Sequence, residues 1–116
     1  MQISSILKPG AVRVIGAVSS KKRLFQEVAD VAQTSYGLAA QSTVEALLDR
    51  ESLGPTGVGH GVALPHARLQ GLDAVRGVFL ILEKPLDFDA VDRQPVDIAF
   101  SLFGFGPWRG ERGEAQ

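Results

Sequence analysis

The sequence predicts an α/β fold in which a mixed β-sheet is flanked by helices. Two amphipathic helical segments follow a short strand segment, and further apolar strand segments come after them. The length of 116 residues suits a single domain. Apolar residues make up 45% of the chain and charged residues 22%, which favours a packed core over disorder. We expect one domain over residues 1–104 and an irregular tail over residues 105–116.

Charge and composition narrow the classes of function. The net charge is −1 and the basic residues cluster only at Lys21-Lys22-Arg23, so no nucleic-acid partner is expected. The chain has no cysteine, which excludes disulfides and thiol chemistry and suits a cytoplasmic protein. No signal-peptide pattern follows Met1, and the apolar runs are too short to span a bilayer, so no membrane partner is expected.

The N-terminal part of the chain contains a short helical turn, a strand and an amphipathic helix. Residues 2–8 have helical spacing, and residues 12–18 alternate as a strand. Ser19 or Ser20 can cap the following helix, and Gly37 suits the left-handed conformation that ends many helices. The apolar stripe of this helix has the expected spacing and comprises Leu24, Val28, Val31 and Ala32.

A second helix is predicted to begin at Ser42. Ser42 and Glu45 have the spacing of a capping box, in which each side chain accepts a bond from the other residue's backbone N–H. Gly54-Pro55 ends the helix, and Arg50 lies in its last turn, where the helix dipole favours a cation. Arg50 therefore comes just before a glycine-rich segment.

Three strands are predicted in the second half of the chain. Residues 62–64 form a brief apolar run that ends at Pro65. Residues 75–82 are almost wholly apolar, which predicts a strand buried on both faces and ended by Lys84-Pro85. Residues 96–103 predict the last strand, since apolar side chains recur there at alternate positions.

The most distinctive segment is glycine-rich and ends in a proline–histidine pair. Gly57, Gly59 and Gly61 suit a tight, solvent-accessible loop because glycine permits positive φ and close backbone approach. Pro65 has a fixed φ and no backbone N–H, so His66 is expected at the end of a rigid strand. This position, bordered by flexible backbone, suits a reactive imidazole.

His66 and Arg50 are the candidate reactive residues, although each one taken alone is explained as well by a structural role. A neutral imidazole is a good nucleophile near pH 7. The guanidinium of Arg50 offers a planar pair of donors for the oxygens of an anion. Each residue also has a structural alternative: a histidine hydrogen-bonded at a strand end, and a surface arginine paired with Asp49 or Glu51.

The glycine segment offers further donors for an anion. The backbone amides of Gly57, Gly59 and Gly61 are candidate phosphate-binding groups, as in other anion-binding loops. The segment is not a dinucleotide fingerprint, because it lacks the last spaced glycine and precedes a strand. His60 is expected in the loop that borders the site. His60 and His66 alone make a weak metal pattern, so no metal or cofactor is expected.

These residues resemble the enzyme IIA domains of the bacterial phosphotransferase system, in the fructose/mannitol class. Within that class the sequence is most similar to the nitrogen-regulatory branch. The resemblance rests on LDRE at residues 48–51, TGVGHGVALPHAR at residues 56–68 and VDIAF at residues 96–100. It extends over about residues 3–104, which is most of the chain.

The resemblance implies that a phosphoryl group passes from an HPr-like phosphocarrier protein onto a histidine. The histidine of the family's proline–histidine pair corresponds to His66, and the arginine before its glycine segment corresponds to Arg50. The nitrogen-regulatory likeness implies signal transduction through regulatory target proteins rather than direct sugar uptake. Such a protein is a phosphoryl-transfer component with a phosphohistidine intermediate. Two alternatives stay open: a regulatory protein-binding module, or an inactive fragment that retains the motif.

The sequence departs from the family pattern after Gly104. Family members usually continue with a second active-site histidine and one or two helices that pack on the sheet. The residues after Gly104 match none of these features, so we expect a domain that is incomplete at its C-terminus. Apolar surface left uncovered on a sheet is unfavourable in water, which predicts self-association through that face or a marginal fold.

Overall fold

The computed structural model describes residues 3–70, 72 and 74–104, so the tail predicted over residues 105–116 lies outside the described residues. The helices are α1 (Ile3–Ile6), α2 (Lys21–Tyr36) and α3 (Ala40–Glu51), with a 3₁₀ turn at Pro9–Ala11. The strands are β1 (Val12–Ile15), β2 (Gly57–Gly59), β3 (Val62–Ala63), β4 (His66–Arg68), β5 (Arg76–Leu86) and β6 (Val96–Gly104). The predicted α/β class with a mixed sheet and helices is confirmed.

Strand β6 organises the sheet. It pairs antiparallel with β5 on one side and parallel with both β3 and β4 on the other. Strand β1 extends the sheet by pairing parallel with β5, and β2 closes the opposite end by pairing antiparallel with β3. The glycine-rich segment and the proline–histidine pair, which run through β2, β3 and β4, are therefore held beside the antiparallel β5–β6 pair.

Helix α2 forms where its local signals predict. The hydroxyl of Ser20 accepts a hydrogen bond from the backbone N–H of Arg23 at 3.1 Å, and Gly37 ends the helix with a φ of 74°. The apolar stripe faces the sheet and contributes the buried residues Leu24, Phe25, Val28, Ala29, Val31 and Ala32. Burial of this stripe against the sheet stabilises the helix far more than its cap does.

Helix α3 begins at Ala40, two residues before the predicted start at Ser42. The predicted capping box between Ser42 and Glu45 is therefore wrong. The carbonyl of Ala39 accepts bonds from both the backbone N–H and the hydroxyl of Thr43, at 3.0 and 2.8 Å. Ser42 therefore lies inside the first turn, and Glu45 instead accepts a bond from the Gln41 side chain at 3.3 Å. Alanine has the highest helix propensity, which allows the helix to extend past the serine.

Strand β5 runs further than predicted. It continues through Lys84-Pro85 to Leu86, with a shift of register against β6 between Ile81 and Leu86. Strand β1 pairs with β5 only as far as Leu82, so Pro85 lies where its missing N–H removes no bond to β1. The predicted burial on both faces is also wrong, because Ile81 is 37% exposed.

The two faces of the sheet have different environments. The inner face packs against α2 and α3 and carries buried residues such as Leu80, Ala99 and Phe103. We define the outer face as the opposite side, assigned from the strand register because paired residues share a face. It carries His66 together with apolar side chains at Val12, Val14, Val62, Phe79, Ile81, Ile98, Phe100 and Leu102.

Within the described part of the chain, no helix combines the length and the apolar character needed to cross a bilayer.

Candidate functional site

His66 is positioned by an interruption in a strand. Ala63 pairs with Ala99 and His66 pairs with Leu102, so β3 and β4 follow the same register along β6. Leu64 and Pro65 separate the two strands because a proline cannot donate a ladder hydrogen bond. His66 was predicted at the end of a strand, but the structure places it at the beginning of β4, after a two-residue interruption. The imidazole is therefore carried by rigid backbone.

The hydrogen bonds of His66 define its tautomer. Its Nδ1 lies 3.0 Å from the carbonyl oxygen of Leu64, which can only accept, so Nδ1 carries the proton. Its Nε2 then holds the lone pair and accepts a hydrogen bond from Nε of Arg50 at 3.2 Å. The side chain is half-buried. Nε2 is consequently the ring nitrogen that holds the lone pair.

Arg50 is held at both ends of its guanidinium. Its position in the last turn of α3 places it next to β4, where Nε donates to His66. Its Nη1 donates to the carbonyl oxygen of Gly54 at 2.9 Å, just beyond the helix end. A guanidinium has five N–H donors, so donors remain for a ligand beside His66. The structure thus brings together the two predicted catalytic residues.

Among the clefts that border His66, two differ clearly in polarity. One, of about 240 Å³, is lined by the charged side chains of Asp49, Arg50 and Arg68, together with Leu53 and Ala67. The other, of about 250 Å³, is lined mainly by apolar residues that lie before and on β2, between β3 and β4, and on β6, namely Pro55, Val58, Leu64, Pro65, Phe100 and Leu102. Arg50 lines both of these clefts, so its guanidinium can be reached from either one.

Glu51, which the sequence analysis named as a possible ion-pair partner of Arg50 and as part of the LDRE motif, is a buried carboxylate next to Arg50 in the chain. Its side chain is 7% exposed and accepts bonds from the hydroxyl of Thr56 at 2.5 Å and from the ammonium of Lys21 at 2.8 Å. The backbone N–H of Thr56 also donates to it at 3.2 Å. A carboxylate in the last turn of a helix opposes the helix dipole, and this conflict was the available signal that Glu51 needs strong partners.

The three predicted phosphate-binding glycines lie in the β2–β3 hairpin. A Cβ on Gly57 would come within 2.7 Å of the Ala90 Cβ, so Gly57 is needed for close packing. Gly59 and Gly61 have φ of 104° and 79°. Gly59 pairs with the first residue of β3, roughly 13 Å along the strand direction from His66. These glycines are not among the residues that line the clefts bordering His66.

His60 occupies the turn of this hairpin instead of the border of the site. It adopts a φ of 58°, and its backbone N–H donates to Oδ2 of Asp92 at 3.0 Å. This bond and one from the backbone N–H of Gln94 lower the pKa of Asp92 below its ordinary value. Asp92 therefore ties the hairpin turn to the loop between β5 and β6.

The mixed sheet and its helices have the fold of a phosphotransferase enzyme IIA domain. Residues 5–105 match the family model described as phosphoenolpyruvate-dependent sugar phosphotransferase system, EIIA 2, and the chain belongs to this family.

Relatives of known name support the nitrogen-regulatory branch. A "Nitrogen regulatory protein" of Klebsiella oxytoca is 42% identical over 104 residues, which cover 88% of this chain and 64% of that protein. The chain thus spans just under two thirds of the length of this relative.

Solved structures agree with the family assignment. The nitrogen regulatory protein IIA-Ntr from Neisseria meningitidis has a TM-score of 0.82 and 39% identity, covering 95% of this chain and 75% of the other. A complex of enzyme IIAMtl with phosphorylated enzyme IIBMtl from Escherichia coli gives a TM-score of 0.68 at 19% identity, over 92% and 77% of the two chains. The second likeness shows the fold.

Proposed function

We propose that Nε2 of His66 accepts a phosphoryl group from an HPr-like phosphocarrier protein. The Nε2 lone pair attacks phosphorus, a new P–N bond forms, and the bond between phosphorus and the donor breaks with its electron pair returning to the donor. The observation that carries this proposal is the bond from Nδ1 to the Leu64 carbonyl, which leaves the lone pair on Nε2. Nδ1 keeps its proton throughout the transfer.

Arg50 is the proposed partner of the phosphoryl group. Its Nε–H donates to the nitrogen that would attack, so the incoming phosphorus takes the place of this hydrogen bond. The guanidinium can then donate to the phosphoryl oxygens, where charge develops during transfer. Its bond to Gly54 keeps it beside the site during this exchange. These contacts support a role for Arg50 in stabilising the negative charge on the phosphoryl oxygens.

The proposed output is regulatory. The relative from Klebsiella oxytoca and the Neisseria meningitidis structure are both named nitrogen regulatory proteins, which favours nitrogen-related signalling over direct sugar uptake. In this proposal the phosphorylation state of His66 changes the surface that regulatory target proteins contact, and the protein acts in the cytoplasm. A cell-fractionation experiment tests the location.

We further propose that the chain self-associates through the outer face. Val12, Val14 and Ile81 are 45%, 61% and 37% exposed on neighbouring strands of this face. A second copy presents the same apolar surface, and a two-fold dimer would bury both patches together. This patch lies on β1 and β5, whereas His66 lies on β4 at the other side of β6, so the contact is proposed at a different part of the outer face from the phosphoryl-acceptor site.

The test of the phosphoryl-acceptor proposal is uptake measured by intact mass. The chain is mixed with a phosphorylated HPr-like carrier, alongside His66→Ala and a matched His60→Ala control, since the sequence contains 2 histidines. The expected result is a single phosphoryl addition to the unmodified chain and to His60→Ala, and none to His66→Ala. No addition to the folded unmodified chain would contradict the proposal and favour a binding module or an inactive fragment.

A further inference from the structure

We infer that Glu51 is a positioning residue that holds Arg50 and His66 in their reactive arrangement. This inference rests on the proposed phosphoryl transfer to His66. Glu51 follows Arg50 directly at the end of α3, yet its side chain turns into the interior while Arg50 reaches His66. Two consecutive residues thus have different tasks: Arg50 contacts His66, and Glu51 fixes the backbone that both side chains depend on.

The first part of the arrangement is the anchoring of Thr56. Glu51 accepts bonds from both the hydroxyl and the backbone N–H of Thr56, at 2.5 and 3.2 Å. Thr56 is only 4% exposed, so water competes little for these bonds. The segment between the end of α3 and β2 is therefore fixed at Thr56.

The second part links Thr56 to both reactive side chains. Its carbonyl oxygen accepts a bond from the backbone N–H of Leu64 at 2.9 Å, and the Leu64 carbonyl in turn accepts from Nδ1 of His66 at 3.0 Å. Two residues before Thr56, the Gly54 carbonyl accepts from Nη1 of Arg50 at 2.9 Å. Displacement of Thr56 would therefore disturb the acceptor that sets the His66 tautomer and the acceptor that steers Arg50.

The third part is the ion pair that holds the Glu51 side chain in place. The ammonium of Lys21, from the first residue of α2, lies 2.8 Å from Oε2 of Glu51 and 4.9 Å from the ring centroid of Phe88. A buried carboxylate without a cation would be strongly disfavoured. Lys21 also lies 3.6 Å from Asp89, on the loop after β5. The network thus joins the start of α2, the end of α3 and the entry to β2 behind the site.

The test compares single-turnover phosphoryl transfer at saturating carrier for Glu51→Gln, Thr56→Val and Thr56→Ser. Glu45→Gln is the matched control, since Glu45 is an exposed acid on the same helix. We expect Glu51→Gln and Thr56→Val to slow transfer by about tenfold, in the range seen when a supporting residue of a site is lost. Thr56→Ser keeps the hydroxyl and should restore the rate, and Glu45→Gln should leave it unchanged. Thr56→Val decides the question if Glu51→Gln does not fold.

A second readout separates positioning from the proposed function itself. The ¹⁵N shifts of the His66 ring report its tautomer, and hydrogen exchange at the Arg50 Nε–H reports its bond to Nε2, both without any phosphoryl donor. We expect Glu51→Gln to speed this exchange and to mix the tautomers while the fold persists. Unchanged exchange, tautomer and transfer rate in folded Glu51→Gln would overturn the inference. If the unmodified chain accepts no phosphoryl group, the proposed function fails and the nuclear magnetic resonance data alone decide the positioning role.

Discussion

Nε of Arg50 lies 3.2 Å from Nε2 of His66 and donates a hydrogen bond to the lone pair that would attack phosphorus. The guanidinium of Arg50 thus lies where the phosphorus atom would approach Nε2 of His66 in the proposed reaction. Both groups are already oriented, because Leu64 fixes the other nitrogen of the ring and Gly54 fixes the other end of the guanidinium. The proposed transfer would therefore require exchange of one hydrogen bond rather than assembly of the site.

Replacement of Arg50 should therefore slow phosphoryl uptake strongly while the protein stays folded. We expect Arg50→Ala to lower the rate at saturating carrier by roughly 10²–10³-fold, as for loss of a charge-stabilising donor. Arg23→Ala is the control, because Arg23 is exposed on α2 and pairs with Glu27 at 4.0 Å. Rapid-quench measurements give the rates, and circular dichroism confirms folding. An unchanged rate in Arg50→Ala would remove Arg50 from the site.

Local signals in the sequence were sufficient to predict α2 but not α3. The cap at Ser20 and the left-handed Gly37 act within a few residues, so both appear directly in the sequence. The start of α3 depends on competition between Ser42 and two preceding alanines, and the helix extends to Ala40. Short-range patterns therefore define an element more reliably than they define its first residue.

The site itself could be predicted only in part. His66 and Arg50 were predicted from their motif and the family resemblance, and their contact depends on β4 lying beside the end of α3. The network of Glu51 could not be predicted, since Lys21 is 30 residues away in sequence and its approach depends on helix packing. Gly57 was predicted in an accessible loop, whereas tertiary packing against Ala90 makes it part of a buried strand.

The hairpin that carries the glycines should be sensitive to a single methyl group. Gly57→Ala would place a Cβ 2.7 Å from the Ala90 Cβ and 2.9 Å from its Cα, so backbone must shift. We expect a loss of about 1–3 kcal/mol in the free energy of unfolding, the usual cost of overpacking. Gly16→Ala is the control, because its nearest heavy atom would be 4.0 Å away. Urea unfolding measures both, and equal stabilities would show that the Gly57 contact relaxes freely.

Asp92 should make the stability of the hairpin depend on pH. Bonds from the backbone N–H groups of His60 and Gln94 lower its pKa from 3.8 in the folded protein. A lowered folded-state pKa means that the carboxylate stabilises the fold above pH 3.8, and this stabilisation is lost as the pH falls through the folded-state pKa.

The measurement for Asp92 compares urea midpoints of the unmodified chain and Asp92→Asn. We expect Asp92→Asn to be the less stable of the two at pH 7, and the difference to shrink on acidification. Asp30→Asn serves as the control because Asp30 is exposed and accepts from the side chain of Gln26. A difference that stays constant from pH 7 to acid would contradict a role for the ionised carboxylate.

The exposed apolar side chains of the outer face lead to a prediction about the oligomeric state of the protein. Val14 and Ile81 pair across β1 and β5 and expose 61% and 37% of their surfaces on this face. If two copies bury these side chains together, replacing both with threonine should weaken association while keeping strand propensity. We expect Val14→Thr/Ile81→Thr to raise the dimer dissociation constant at least tenfold, as about 1.4 kcal/mol of lost burial would.

Sedimentation equilibrium over a range of protein concentrations measures this change. Leu53→Thr is the matched control, since Leu53 is 83% exposed but lies after α3, outside the sheet. Equal association of the double variant and the control would place the contact elsewhere. A stable monomer of the unmodified chain at every concentration would contradict the self-association proposal, because the outer face would then be stable in contact with water.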